Sequence, residues 1–204
     1  MVKKVWHLIF PLLLLTGMAW GQDHRYDISA TVGPLLNKES SGNGTTLTPT
    51  NSGVAVALGR MRLTDRLSIA AVFGRTKESQ IYFVSPDTYR LQGPVSEFGG
   101  ELVYSFIRRK KLECFALGGM SALVFVPKVT VIDGASASLP AGNQTKPAPV
   151  YGIGADYQLH GRFALRLLYR GIFYKAPDFN VANLFTGAYG HMAEPTVGIV
   201  FKFR

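Results

Sequence analysis

The chain has 204 residues, which suits one domain, and only 17% of them are charged, below the roughly 25% of ordinary soluble proteins. Its formal net charge is +9, but the basic residues are dispersed rather than gathered on one face with interleaved aromatics, which argues against a nucleic-acid partner. Cys114 is the single cysteine, so an internal disulfide is excluded and the fold depends on hydrogen bonding and burial.

The first 21 residues have the layout of a secretory signal peptide. Lys3 and Lys4 precede an apolar stretch over residues 8–15, and small residues follow at Ala19 and Gly21. The stretch contains Pro11 and is shorter than the roughly 20 residues that a membrane-spanning helix needs. We expect residues 1–21 to be cleaved, which leaves residues 22–204 as the mature domain and lowers the formal charge from +9 to +7 by loss of the two lysines.

Eight later segments show the two-residue alternation of β-strands. They cover residues 26–35, 52–63, 66–75, 96–106, 112–125, 149–158, 162–174 and 196–203. No helical periodicity of comparable strength recurs between them.

The connections between these segments alternate in length. Tight turns around residues 64–65, 107–111 and 159–161 alternate with long polar connections at 38–51, 77–94, 127–148 and 176–194. Short periplasmic turns, long external loops and an even number of strands of about ten residues are typical of outer-membrane barrels. Because backbone groups in lipid must all be paired, the pattern predicts an all-β fold, an eight-stranded antiparallel up-and-down transmembrane β-barrel.

Side-chain parity assigns most faces of this barrel. In 162–174, Arg166 and Arg170 share one face, whereas the other face is apolar. An arginine facing lipid at mid-bilayer costs roughly 2–4 kcal/mol, so both should point inward. The same parity places Glu101 and Asp156 inside. Since eight strands leave an interior that side chains fill, we expect Glu101, Asp156, Arg166 and Arg170 to form a buried charge network; the alternative is a wet lumen where they contribute little.

Segment 112–125 does not follow this rule. The face containing Glu113 and the face containing Cys114 both carry apolar residues, so parity assigns neither to the interior. We expect a β-bulge at Gly118-Gly119 to be the reason.

The stretch PVYGIGADYQLHGRFALRLLYR, residues 149–170, resembles the sixth and seventh strands of the OmpA barrel. The shared features are an aromatic residue after Pro-Val, strand glycines, an acid before tyrosine, a short turn and an Arg-Leu-x-Tyr sequence. The chain thus resembles small outer-membrane barrels of the OmpA and OmpX type, and the resemblance implies that Asp156 and Arg166 are an interior acid–base pair. The peptidoglycan-binding domain of full-length OmpA has no counterpart here, so we do not expect cell-wall tethering.

The ending TVGIVFKFR is similar to the C-terminal signal that the outer-membrane assembly machinery reads. That signal has a polar residue, a glycine two places on and two aromatics at alternate positions, filled here by Thr196, Gly198, Phe201 and Phe203. Arg204, after the last aromatic, departs from the family pattern. We expect residues 196–203 to pair with residues 26–35 and close the barrel, so that no strand edge remains.

We expect no catalysis, cofactor or metal site. The lipid A deacylase family of outer-membrane barrels carries a His-x-Ser near the end of the barrel, but in this sequence Met192 and Ala193 follow His191. A catalytic histidine needs a nucleophile within hydrogen-bond reach, and paired-His or Cys-x-x-Cys spacing is missing.

The sequence therefore favours a monomeric barrel with a structural role or a surface-interaction role through loops 77–94 and 127–148. Its expected partners are outer-membrane lipids, the assembly machinery and a protein that binds the loops. The strand-like residues 81–90 either present an edge to such a partner or pack on themselves. The alternatives are a narrow pore for ions or small solutes, a lipid-modifying barrel enzyme, and a soluble periplasmic barrel that binds a ligand. The last of these would need a polar outer face.

Overall fold

The computed structural model describes residues 25–203; the predicted signal peptide lies outside them, as does Arg204. The strands are β1 (Tyr26–Asn37), β2 (Ser40–Gly42), β3 (Thr45–Pro49), β4 (Ser52–Arg62), β5 (Leu67–Val84), β6 (Asp87–Arg108), β7 (Leu112–Phe125), β8 (Val129–Ile132), β9 (Ala135–Ser136), β10 (Gln144–His160), β11 (Phe163–Lys175) and β12 (Tyr189–Phe203). One short 3-10 helix, Ala182–Leu184, precedes β12. Within residues 25–203, no helix has the length and apolar character needed to cross a membrane.

Eight of these strands close into an antiparallel barrel. The barrel strands are β1, β4, β5, β6, β7, β10, β11 and β12. Each of the first seven pairs with the next strand of this set. β12 then returns to β1, with a register that runs from Tyr26 opposite Phe203 to Asn37 opposite Met192. The predicted fold class and the predicted closing pair are confirmed.

Most of the predicted long loops are strand rather than loop. β5 and β6 continue as one hairpin of 18 and 22 residues up to Val84 and Asp87. β2 and β3 lie within 38–51, and 127–148 holds β8, β9 and the start of β10. Their polar composition indicated loops for a simple reason. Beyond the lipid, outward side chains face water and can be polar, so the apolar–polar alternation of a strand is weaker there.

The β5–β6 hairpin presents no free edge, because another strand pairs with each of its two sides. Thr45 to Pro49 of β3 pair with β5, and Val129 to Ile132 of β8 pair with β6. The open edges of this extended sheet are the short strands β2 and β9.

β7 has a definite inner face, which parity alone did not give. Phe115 is buried with Glu113 beside it on the same face, whereas Met120 faces outward. The expected bulge at Gly118-Gly119 is wrong, because the register against β6 and β10 runs through both residues without a shift. A Cβ on Gly119 would lie 2.1 Å from the Gly100 carbonyl oxygen, so this glycine allows close strand approach.

Candidate functional site: the barrel interior and its apolar belt

An apolar belt surrounds the barrel. Its outward side chains include Val32, Leu102 and Leu167, which are 60%, 57% and 56% exposed. Contiguous exposed apolar surface of this extent is unusual on a soluble monomer and marks contact with another apolar phase. The belt contradicts the soluble periplasmic barrel, which would need a polar outer face.

Aromatic side chains border the belt at both ends. Phe201 packs against Phe163 and Phe203 at the end with the short turns, with ring centroids 5.1 and 4.9 Å apart. Phe173 packs against Tyr151 at the other end, at 5.7 Å. Phe163 and Phe173 are ten residues apart on β11, which is roughly 33 Å along a strand and, at a tilt of about 40°, roughly 25 Å along the barrel axis. That height matches the apolar band of transmembrane barrels.

The interior contains a lower charge network near the short turns. Arg166 donates through Nε and Nη2 to the two carboxylate oxygens of Asp156, both at 2.7 Å. Arg60 donates to Asp27 at 2.7 Å and to Asp156 at 3.0 Å, and it also contacts Glu113 at 3.4 Å. Two-point contacts of this kind orient guanidinium groups strongly. Arg62 also reaches Glu113, with Nη2 3.3 Å from Oε2. Three arginines thus hold three carboxylates in one connected layer.

Phe115 supports this lower network from the centre of the barrel. The guanidinium carbons of Arg60 and Arg166 lie 5.4 and 5.3 Å from its ring centroid. Both distances fall within the range of cation–π attraction, which is stronger where water is excluded. The ring itself is only 2% exposed.

A separate upper cluster surrounds Arg170, which is fully buried. Its guanidinium contacts Glu101 at 2.9 Å, Glu194 at 2.7 Å and Glu97 through a short charge-assisted bond. Ser121 Oγ donates to Glu97 Oε1 at 2.6 Å. One cation therefore serves three carboxylates, which leaves an excess of acid that the lower network does not have.

An aromatic cap lies above the upper cluster at the end with the long connections. It is formed by Tyr82, Phe125, Tyr174, Phe179 and Leu184, all 2% exposed or less. Tyr82 Oη donates to the Pro177 carbonyl at 2.6 Å, which ties the cap to the segment before β12. The rings of Phe125 and Tyr174 lie 5.8 Å apart. The three layers together fill the barrel from one end to the other.

The four residues expected to form one network lie in two clusters. Asp156 and Arg166 are partners in the lower network, whereas Glu101 and Arg170 are partners in the upper cluster. All four are 3% exposed or less, so they face the interior rather than lipid.

The four residues of the predicted C-terminal signal all lie on β12. Thr196 is buried and donates through Oγ1 to the Leu168 carbonyl at 3.3 Å. Gly198 faces inward opposite Thr31 of β1. Phe201 and Phe203 stand in the aromatic border near the short turns.

Sequence reasoning missed five buried charged partners: Asp27, Arg60, Glu97, Glu113 and Glu194. Glu97 shares the parity of Glu101, and Arg60 shares the parity of buried Val56 and Leu58, so both were accessible to the same argument. Glu113 was hidden by the unresolved faces of β7. Glu194 was missed because β12 begins at Tyr189, seven residues before the predicted start at Thr196.

The buried carboxyl group of Glu78 should make the stability of the barrel depend on pH. It lies above the belt and is 3% exposed; Asn37 Nδ2 donates to Oε2 at 2.9 Å, and Gln80 donates to Oε1. Burial, with the nearby Glu194 carboxylate adding to it, raises the pKa of Glu78 from 4.5 to about 7. Between pH 4.5 and 7, Glu78 therefore holds a proton in the folded state that it has lost in the unfolded state. The free energy of unfolding should then fall by about 3 kcal/mol as pH rises from 4.5 to 7.

The matched variant for this prediction is Glu78→Gln, which keeps the shape and removes the proton. Urea unfolding at a series of pH values should give a shallower pH slope for the variant than for the wild type in this window. Parallel curves for the two proteins would contradict the assignment to Glu78.

No protein-family model matches the sequence, and no curated protein matches it. Solved structures match in fold. Neisserial surface protein A aligns with a TM-score of 0.54 at 14% identity, over 87% of this chain and 97% of that one. The outer membrane protein OprG of Pseudomonas aeruginosa gives 0.53 at 13% identity, over 90% and 98%. The N-terminal β-barrel domain of Pseudomonas aeruginosa OprF gives 0.50 at 14% identity, over 89% and 100%.

Proposed function

Because this chain has the fold of the small eight-stranded outer-membrane β-barrels, we propose that it is an integral outer-membrane protein with a structural or surface-interaction role. One observation carries the proposal: an apolar belt faces outward while charged and aromatic side chains fill the interior along its whole length. Such a barrel is anchored by its outside and has its adaptable surface at the end with the long connections.

The filled interior argues against the alternative of a narrow pore. A cavity beside Glu97 and Glu194 and another beside Glu78 each have a volume of ≈ 10 Å³, which is about one water molecule. An ion would have to pass the aromatic cap, the Arg170 cluster and the lower network in turn. Packed rings close the cap, and side chains joined by ion pairs close the two charged layers.

A catalytic role has no support at His191. Its Nε2 lies 3.1 Å from Tyr151 Oη, and its ring packs 4.7 Å from Phe173 on the outer surface of the barrel. The pattern is an aromatic border contact at the edge of the belt. We infer that the histidine anchors the barrel in the interface instead of activating a nucleophile.

The partner surface of this proposal is the sheet that extends above the belt. Phe83 of β5 and Val129 of β8 are 51% and 50% exposed there. The short edges of β2 and β9 are the positions where a partner strand could add. In biogenesis, the partner would be the outer-membrane assembly machinery, which would read Phe201 and Phe203 on the monomeric chain.

The test combines a membrane assay with a conductance assay on the full chain. The protein should fractionate with outer membranes and migrate differently on a gel before and after boiling. In planar bilayers it should give no sustained current steps. A heat-insensitive periplasmic band would contradict the membrane assignment, and steady ion-selective conductance would establish the pore instead.

A further inference from the structure

A groove of ≈ 570 Å³ opens on the outer surface of the barrel at the upper margin of the belt. Small groups of β1 and β4 line it, among them Gly53 and Ala55, and Val32 stands beside them. Arg75, Lys77 and Lys128 line the same groove from β5 and from the residue before β8. An apolar recess and three cations therefore share one concave surface.

Strand pairing places the three cations on neighbouring positions. Arg75 lies opposite Ala55 of β4, and Lys77 lies opposite Pro94 of β6. The Lys128 backbone amide donates to the Gln92 carbonyl at 2.9 Å, which brings that residue next to the same part of β6. Arg75 and Lys77 are two residues apart on β5, and Lys128 precedes β8, which lies beyond β6 and therefore roughly 10 Å from β5 at about 4.8 Å per strand. Side chains as long as these can reach a common anion across that distance.

These cations are exposed and have no acidic partner in residues 25–203. All ten ion pairs described there involve other arginines. The neighbouring acids, Glu78 and Glu97, are buried on the opposite face of the sheet. The groove thus presents uncompensated positive charge at the height where lipid headgroups begin.

We propose that this groove binds a phosphate-bearing lipid of the leaflet at the end with the long connections. Its phosphate would accept charge-assisted hydrogen bonds from Arg75, Lys77 and Lys128. One acyl chain would lie along β4, where the outward Ala55 and Ala57 are shorter than their partners Val32 on β1 and Phe73 on β5. A free phosphate would use only the cations, so the recess selects for a lipid. The inference rests on the proposed membrane location and adds a specific lipid site to it.

The test is native mass spectrometry of the folded full chain in a non-ionic detergent, titrated with phosphatidic acid. Phosphatidylcholine with the same acyl chains is the neutral comparison, and inorganic phosphate is the competitor. The triple variant Arg75→Gln, Lys77→Gln, Lys128→Gln should bind phosphatidic acid at least tenfold more weakly, because it loses all three charged hydrogen-bond donors to the phosphate. Ala55→Leu, which fills the recess, should weaken binding without changing the charge.

The matched control removes the same charges from the other end of the barrel. Arg109→Gln, Lys110→Gln, Lys111→Gln also replaces one arginine and two exposed lysines, in the turn before β7, and it should bind phosphatidic acid as the wild type does. Equal losses in both triple variants would show nonspecific charge attraction and overturn the site. Displacement of the lipid by inorganic phosphate would assign a free anion and overturn it as well. A membrane-inserted, non-conducting barrel without lipid preference would refute this inference alone and leave the proposed function standing.

Discussion

Replacing Arg170 by methionine is expected to lower the free energy of unfolding by about 3–5 kcal/mol, the usual cost of leaving buried charges without a partner. Arg170 is fully buried and bonds Glu97, Glu101 and Glu194. Methionine has a similar length but no charge, so three buried carboxylates would remain together without a cation. Urea unfolding of the protein in micelles, followed by circular dichroism, measures the change.

The matched control is Glu194→Gln in the same cluster. Its amide oxygen can still accept from Arg170 Nη1, now at 2.7 Å from the carboxylate, and one excess negative charge is removed. We expect a loss well below that of Arg170→Met. Equal and small losses in the two variants would mean that the lumen is wet and that the cluster contributes little, which is the alternative to a buried network.

The second large effect is expected at the seam that closes the barrel. A Cβ on Gly198 would lie 1.9 Å from the Ala30 carbonyl oxygen and 2.5 Å from Thr31 Cα, both backbone atoms of β1. Backbone cannot move aside as a flexible side chain does, so Gly198→Val should prevent β12 from pairing with β1. We expect the heat-modifiable folded form to be nearly lost when the variant is refolded into detergent.

Gly59→Val is the matched control for this prediction. Gly59 also lies on a barrel strand, but a Cβ there meets nothing within 4 Å, and valine has a high strand propensity. Its folded fraction should equal that of the wild type. Because refolding in detergent needs no assembly machinery, a Gly198→Val protein that refolds normally but fails to insert in cells would place the role of Gly198 in the insertion signal instead of in packing.

For most strands, the sequence predicts which side chains face the lipid and which face the interior, because this depends only on alternation along the strand itself. Successive side chains of a strand point to opposite sides, so one arginine such as Arg166 assigns the whole of β11. The faces of β7 stayed unassigned because both carry apolar residues and Gly118 and Gly119 remove two side chains from the alternation; in the structure Glu113 lies on the inner face. Strand ends were underestimated where β5 and β6 leave the lipid, because water no longer requires an apolar outer face.

The sequence by itself determined that the chain is an eight-stranded barrel, which residues face outward on every strand but β7, and that Asp156 and Arg166 lie inside, since lipid penalises every exposed charge and every unpaired backbone group. Only the tertiary structure decided which charges meet. Arg60 reaches Asp156 across 96 residues and Arg170 reaches Glu97 across 73, and such pairs depend on the register and stagger of all the strands between them. The division into a balanced lower network and an acid-rich upper cluster follows from that stagger, because parity gives the side of the sheet on which a charge lies but not its height in the barrel.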